Sequence, residues 1–171
     1  RIYNGISTNN KFDKDLIFSI SENSVGIIGN LEKRKGHELL FRAWSKVISS
    51  INNSKLYIIT SFNSGDKITL EKYAKELKIE NHIEWIPYQE YIENIYRNMK
   101  LVVIPSISHE SFGRIAVEAM AFSTPIIASR VGGLKEIICH NEDGLLFENN
   151  NDEALSNSIV ELLTDKDKCN K

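Results

Sequence analysis

A chain of 171 residues can form one domain with a substantial hydrophobic core, or at most two small domains. Its hydrophobic content of 42% is normal for a globular protein, and its formal net charge of -2 argues against a dedicated nucleic-acid binder. No apolar run approaches the ~20 residues of a membrane-spanning helix. Cys139 and Cys169 are far apart in sequence, so we expect reduced thiols in a cytoplasmic protein.

The first half of the chain alternates short apolar runs with amphipathic stretches. Strands are predicted at residues 25–29, 56–60 and 83–86, and helices at residues 37–49, 69–77 and 91–98. The loop after the first strand, NLEKRKG, crowds Lys33, Arg34 and Lys35 together. A charge run of this kind is either a solvated surface or a phosphate-binding cluster, and its place at the end of a strand favours the second interpretation.

The second half continues the alternation. Strands are predicted at residues 101–104, 125–128 and 144–147, and helices at residues 114–122, at a short segment that begins near Glu136, and at residues 152–163. Strands that alternate with helices are typical of a parallel sheet. We therefore predict an α/β fold, a Rossmann-like open parallel sheet of about six strands with helices on both faces.

Residues 101–133 contain two acids, Glu110 and Glu118, in a largely apolar block. Acids are seldom buried without a partner. Ligands of open α/β sheets bind outside the carboxyl ends of the strands, and free N–H groups at a helix start favour an anion. We expect such N–H groups from about Phe112 to Ala116, where Gly113 permits close approach. One turn thus offers a phosphate cradle, with an acid on either side that can accept hydrogen bonds from hydroxyls.

Several other functions have weaker support. The chain has no G-x-G-x-x-G after its first strand and no Walker A motif, which argues against a dehydrogenase or an NTPase. The D-x-D pairs at Asp13 and Asp15 and at Asp165 and Asp167 lie outside the predicted core, and we interpret them as solvated charges. The four histidines have no ligand spacing, so no metal is implied. Paired acids also suit a glycosidase, but a glycosidase does not need a phosphate cradle.

The segment from Glu110 to Arg114, ESFGR, followed by EAMA from Glu118, resembles the E-x7-E signature of retaining GT-B glycosyltransferases, glycosyltransferase family 4 (glycosyl transferases group 1). The resemblance continues through TPIIAS, the Gly132–Gly133 turn and DGLLF. It implies the C-terminal half of a GT-B fold. Residues 1–23 would be the interdomain linker and lead-in, residues 24–171 the nucleotide-sugar donor-binding domain, and the N-terminal acceptor domain would be absent from this chain.

The resemblance also implies roles for individual residues. Glu118 would bind the ribose hydroxyls, Glu110 would contact the donor sugar and help to place the anomeric carbon, and Lys35 would neutralise charge on the leaving diphosphate. The other implied donor-binding residues are Gly29, Asn30, Arg34, Tyr88, Ser111, Phe112, Gly113, Arg114, Gly132 and Gly133. Asn30 stands where the family has an arginine, for which Arg34 or Arg114 could substitute, and Tyr88 is either a neighbour of the base or a plain surface aromatic.

The implied reaction is transfer of a sugar from a nucleotide diphosphate sugar to an acceptor hydroxyl with retention of anomeric configuration, without a metal or other cofactor. The donor would be a UDP-, GDP- or ADP-sugar, and the acceptor a sugar or lipid bound through the missing domain. Bacterial polysaccharide or glycolipid synthesis is the expected context, in the cytoplasm or peripherally at the inner face of the membrane. The alternatives are a non-catalytic sugar-nucleotide binding module and a GT-B sugar-nucleotide epimerase. We expect the isolated domain to be inactive.

Overall fold

The computed structural model of the protein describes residues 21–61, 66–88 and 92–165. Most of the predicted linker at residues 1–23 therefore lies outside the described residues. So do Tyr91, at the predicted start of the third helix, and Asp13, Asp15, Asp167 and Cys169.

Six parallel strands form one sheet in the order β3-β2-β1-β4-β5-β6. They are β1 (Asn23–Ile28), β2 (Ser54–Thr60), β3 (Ile83–Pro87), β4 (Leu101–Ile104), β5 (Ile126–Ser129) and β6 (Leu145–Phe147). The central strands are continuous apolar runs because helices cover both faces of a parallel sheet. Every residue of β4, β5 and β6 is buried. The predicted Rossmann-like sheet of about six strands is confirmed.

Helices cover the sheet in two layers. They are α1 (His37–Ser50), α2 (Asp66–Glu76), α3 (Ile92–Asn98), α4 (Arg114–Ala121), α5 (Leu134–Ile137) and α6 (Asp152–Thr164). One hydrophobic cluster packs α1, α2 and α6 against the sheet, and a second packs α3, α4 and α5 against it. Among the described residues, no helix combines the length and the apolar character that crossing a membrane requires.

The boundaries of several elements differ from the sequence prediction. The strand β1 begins two residues earlier than predicted because Asn23 and Ser24 pair with Ser54 and Lys55 of β2. Helix α2 begins three residues earlier than predicted, at Asp66, an acid that suits the first turn of a helix. The loop after β1 contains a 3-10 helix, Lys33–Lys35, that was not predicted.

The strand order places a site at one edge of the sheet. From β1 the chain builds outward through β2 and β3, and from β4 it builds the other way through β5 and β6. The order therefore reverses between β1 and β4, and ligands of open α/β sheets bind at such a switch point, outside the carboxyl ends of the strands. The loops after β1, β4 and β5 meet there.

Candidate functional site

The loops after β1 and β4 are held in direct contact. The Ile107 N–H donates to the carbonyl of Arg34 at 2.9 Å. Gly36 has a φ of 75°, and a Cβ at this position would lie 1.9 Å from the carbonyl oxygen of Pro105. Only glycine allows the two backbones to come this close. The contact fixes the basic 3-10 helix against the loop that carries Glu110.

Lys35 and Glu110 form an ion pair at this contact. The Nζ of Lys35 lies 2.8 Å from Oε2 of Glu110, and the two side chains are 19% and 15% exposed. Arg34 is farther away, with its Nη1 3.8 Å from the same oxygen, while its Nε lies 2.6 Å from Glu32. The structure thus brings together Lys35 and Glu110, which were both predicted as site residues. The main ion pair of Arg34 is therefore with Glu32.

Two buried serines support the side chain of Glu110. The Ser106 hydroxyl donates to Glu110 Oε2 at 3.2 Å. The hydroxyl of Ser129, at the end of β5, donates to the Ser106 carbonyl at 2.6 Å. Lys35 and Ser106 both donate to Oε2, so Oε1 of Glu110 has no donor among the described residues and can accept a hydrogen bond from a ligand.

The glycine pair after β5 fixes the backbone of Glu110. The Gly133 N–H donates to the Glu110 carbonyl at 2.8 Å. A Cβ on Gly132, whose φ is 49°, would lie 2.3 Å from that carbonyl oxygen and 2.7 Å from the Glu110 nitrogen. Gly132 and Gly133 thus pack against the loop of Glu110, and their predicted contact with the donor stays a prediction.

The start of α4 opens onto the same place. Gly113 precedes the helix in the left-handed region, with a φ of 70°. The Ala116 N–H donates to the Gly113 carbonyl at 2.9 Å. The expectation of free N–H groups as far as Ala116 is therefore wrong, because the first turn is tighter than an α-helical turn. Arg114 and Ile115 keep N–H groups without an acceptor in the described part of the chain.

A shallow, open depression joins these groups. Its lining includes Lys35, Ser106, Glu110, Gly113 and Ile115. It therefore brings one ammonium group, one carboxylate and the first turn of α4 to a single concave surface. This combination suits an anion such as a phosphate that carries a neighbouring hydroxylated group.

Glu118 lies one turn farther along α4 and is 7% exposed. Its Oε1 accepts from Arg114 Nε at 2.5 Å, and its Oε2 accepts from the hydroxyl of Tyr96 at 2.7 Å. The hydrogen bond to Glu118 raises the pKa of Arg114. Burial, together with the bond to Glu118, raises the pKa of Tyr96 well above its usual range. Glu118 is thus a nearly buried carboxylate with two donors.

Other predicted site residues lie at the rim or away from the pair of Lys35 and Glu110. Tyr88 follows β3 and is 47% exposed. It is close enough to Arg114 to add a small upward effect on the pKa of the guanidinium, after the larger effect of Glu118. Asn30 is exposed, and its Oδ1 lies 3.4 Å from the Ser61 hydroxyl at the end of β2.

Gly29 donates its N–H to the carbonyl of Ile59. Ser111 is exposed, and Phe112 is partly buried in the loop before α4. Within residues 21–61, 66–88 and 92–165, no group of three or more His, Cys, Asp or Glu side chains is placed to hold a metal ion. Metal-free donor binding stays a prediction.

Sequence reasoning missed three side chains that support the two acids, namely Tyr96, Ser106 and Ser129. Tyr96 lies on the buried face of α3, where a hydroxyl needs a hydrogen-bond partner. Glu118 needs a donor for the same reason. A buried hydroxyl without a predicted acceptor and a buried carboxylate without a predicted donor were the signals that could have indicated the pairing of Tyr96 with Glu118.

Three comparisons with known proteins identify what this chain is similar to. A family model described as glycosyl transferases group 1 matches residues 9–171. An uncharacterized glycosyltransferase of Methanocaldococcus jannaschii, MJ1607, is 32% identical over 180 residues, which cover 96% of this chain and 44% of the relative. The chain thus spans less than half of that relative's length.

Two solved structures share the fold. Anabaena Alr3699/HepE, solved in complex with UDP, is 25% identical with a TM-score of 0.80, over 86% of this chain and 41% of HepE. HepE has also been solved with UDP-glucose. The C-terminal domain of LpcC, a glycosyl transferase group 1 family protein of Francisella tularensis, is 26% identical with a TM-score of 0.78, over 89% of this chain and 80% of that domain.

Proposed function

Since the chain belongs to the glycosyl transferases group 1 family, we propose that it is the donor-binding domain of a retaining GT-B glycosyltransferase of glycosyltransferase family 4. The observation that carries the proposal is the meeting of Lys35, Glu110 and the start of α4 at the switch point of the sheet. The whole enzyme would transfer a sugar from a nucleotide diphosphate sugar to an acceptor hydroxyl.

The diphosphate binds between Lys35 and the first turn of α4. The free N–H groups of Arg114 and Ile115 and the positive end of the helix dipole face the anion. When the bond between the anomeric carbon and the phosphate oxygen breaks, its electron pair stays on the diphosphate. Lys35 stabilises that growing charge, so it lowers the barrier to transfer and also strengthens binding.

Glu110 contacts the donor sugar. Its Oε2 is held by Lys35 and Ser106, which leaves Oε1 to accept from a sugar hydroxyl. The pinned backbone and the supported carboxylate keep the acid in one position, so it orients the anomeric carbon toward the acceptor. The acceptor attacks from the side of the leaving group, which retains the configuration, and its proton passes to the leaving phosphate.

Glu118 accepts hydrogen bonds from the ribose hydroxyls, and Tyr88 lies beside the base. The donor is a UDP-sugar in this proposal, because HepE, a structural relative at 25% identity, is solved with UDP and with UDP-glucose. An N-terminal half of the protein binds the acceptor, since the matched region is under half the length of MJ1607 and HepE. Polysaccharide or glycolipid synthesis at the cytoplasmic face of a membrane is the proposed context.

Calorimetric titration with UDP, GDP and ADP tests the donor site. We expect one nucleotide to bind best, and Glu118→Gln to weaken it about tenfold or more, because a charged hydrogen bond contributes roughly 1.5–3 kcal/mol. Glu148→Gln is the matched control, since Glu148 pairs with Arg130 at the exposed surface. Absence of binding by all three nucleotides, or equal effects of the two variants, would overturn the proposal.

Product analysis on the full-length protein separates transfer from its alternatives. Free UDP that appears from a UDP-sugar only when an acceptor is present supports transfer, and the anomeric configuration of the product tests retention. An epimerised sugar nucleotide would instead indicate an epimerase, and binding without turnover under any acceptor would indicate a non-catalytic binding module.

A further inference from the structure

Tyr96 is a buried phenol whose hydroxyl is hydrogen-bonded to Glu118. It lies in α3, is 0% exposed, and its hydroxyl donates to Glu118 Oε2 at 2.7 Å. The ring stacks on Phe122 with 5.8 Å between centroids, and the Thr124 hydroxyl donates to the Tyr96 carbonyl at 2.8 Å. Both the ring and the backbone of Tyr96 are therefore held, and its hydroxyl has a fixed position.

The second donor to Glu118 is different in kind. The side chain of Arg114 is 67% exposed and reaches Oε1 from the surface of the same helix. The solvated guanidinium of Arg114 can leave Oε1 when a ligand hydroxyl donates there in its place, because the guanidinium then stays in water and the buried carboxylate keeps a donor. The buried tyrosine cannot move away without leaving an unpaired polar group. Oε2 of Glu118 is thus the fixed oxygen, and Oε1 is the one that can change partner.

We propose that Tyr96 is a positioning residue for the nucleotide ribose. By fixing Oε2 it sets the rotation of the Glu118 carboxylate, so that Oε1 points out of the helix surface toward the ribose hydroxyls, which replace Arg114 there. This inference rests on the proposed function, in which Glu118 binds the ribose. It adds Tyr96, a residue of a separate helix. Tyr96 does not touch the ligand, but it determines how well the ribose is recognised.

The test compares two ligands on the complete chain. Tyr96→Phe removes one hydroxyl and keeps the stacked ring. We expect it to weaken UDP about five- to tenfold in calorimetric titration, and to leave 2′,3′-dideoxyuridine diphosphate within twofold of the wild type. A purely structural role would weaken both ligands alike, because the diphosphate contacts would suffer as well. Tyr57→Phe is the matched control, as its buried ring carries a hydroxyl that accepts from the Ser21 N–H instead.

Failure of this inference and failure of the proposed function give different results. If the wild type binds UDP and its dideoxy analogue equally, the ribose role of Glu118 is wrong. If the wild type discriminates between them and Tyr96→Phe discriminates as strongly, the positioning role is wrong. If no uridine ligand binds, the guanosine and adenosine pairs are titrated, and failure of all three series overturns both.

A second variant covers the case in which Tyr96→Phe does not fold. Thr124→Val removes the hydroxyl that holds the Tyr96 carbonyl and leaves the tyrosine in place. It should weaken UDP about two- to threefold and leave the dideoxy analogue unchanged. An equal loss with both ligands, or no loss with UDP, counts against the positioning role.

Discussion

Replacing Lys35 with methionine isolates one ammonium group at the proposed diphosphate site. The substitution keeps the aliphatic length of the side chain and removes the Nζ that lies 2.8 Å from Glu110. Lys33 provides a matched control, because it belongs to the same 3-10 helix, is exposed, and has no ion pair among the described residues. The two variants change the net charge equally and differ only in where the charge was.

The expected loss follows from the burial of Lys35. A partly buried charged contact to phosphate contributes roughly 1.5–3 kcal/mol, and Lys35 shares its charge between Glu110 and the ligand. We therefore expect the lower part of this range, about 2 kcal/mol, or roughly 30-fold weaker UDP binding for Lys35→Met. Lys33→Met removes a screened surface charge and should change the affinity about twofold at most.

Calorimetric titration with UDP and with uridine provides the assay. Uridine has no phosphate, so its affinity should not change in either variant. Equal weakening of UDP binding by Lys33→Met and Lys35→Met would show that the basic loop acts only through long-range electrostatic attraction. Equal weakening of UDP and uridine by Lys35→Met would show that the substitution distorts the site. Either result refutes the assignment of Lys35 to the diphosphate.

Three further predictions follow from single contacts. Glu110→Gln should strengthen UDP binding a few-fold in the same titration, because it removes a carboxylate that competes for Lys35; weaker binding would contradict this. Gly132→Ala should lower the free energy of unfolding by about 2 kcal/mol or more in urea denaturation, since its φ is 49° and its Cβ would meet the Glu110 carbonyl; an unchanged midpoint would contradict the close packing. Burial, together with the charge of Lys35, lowers the pKa of His37 from 6.5 to about 4. Below pH 6.5 the unfolded chain therefore binds a proton at His37, whereas the folded chain binds it only near pH 4. The free energy of unfolding should therefore be highest above pH 6.5 and fall by about 3 kcal/mol toward pH 4. Its slope with pH should be shallower in His37→Gln than in the exposed control His109→Gln, and identical slopes would exclude His37 as the cause.

The sheet was predictable because its strands carry a strong local signal. The run LVVI of β4 is continuous and apolar, and its predicted and observed limits agree. Element ends were less predictable because they depend on pairing across the sheet. Nothing local marks Asn23 and Ser24 as strand residues, and they become so only by pairing with β2. The 3-10 helix at Lys33 was missed for a related reason, since the contact of Gly36 with Pro105 shapes that loop.

The candidate site was predictable where a residue's chemistry conflicted with its surroundings. Glu110 and Glu118 attracted attention as acids in an apolar block, and Lys35 as a cation at the end of a strand. Tyr96 did not, because a tyrosine on an apolar helix face satisfies the hydrophobic pattern without any further explanation. Its hydroxyl donates to Glu118, which lies 22 residues away in sequence. Only the tertiary packing of α3 against α4 brings these two side chains together.

A crystal structure of this chain with UDP would test the central claim most directly. We predict that the diphosphate lies within hydrogen-bond distance of Lys35 Nζ and of the N–H groups that begin α4. The ribose hydroxyls should lie on Oε1 of Glu118, with Arg114 moved away and the bond from Tyr96 intact. UDP bound away from the carboxyl edge of β1 and β4 would contradict the assignment of this chain as a donor-binding domain. No bound UDP at millimolar concentration would contradict the assignment of the donor as a UDP-sugar.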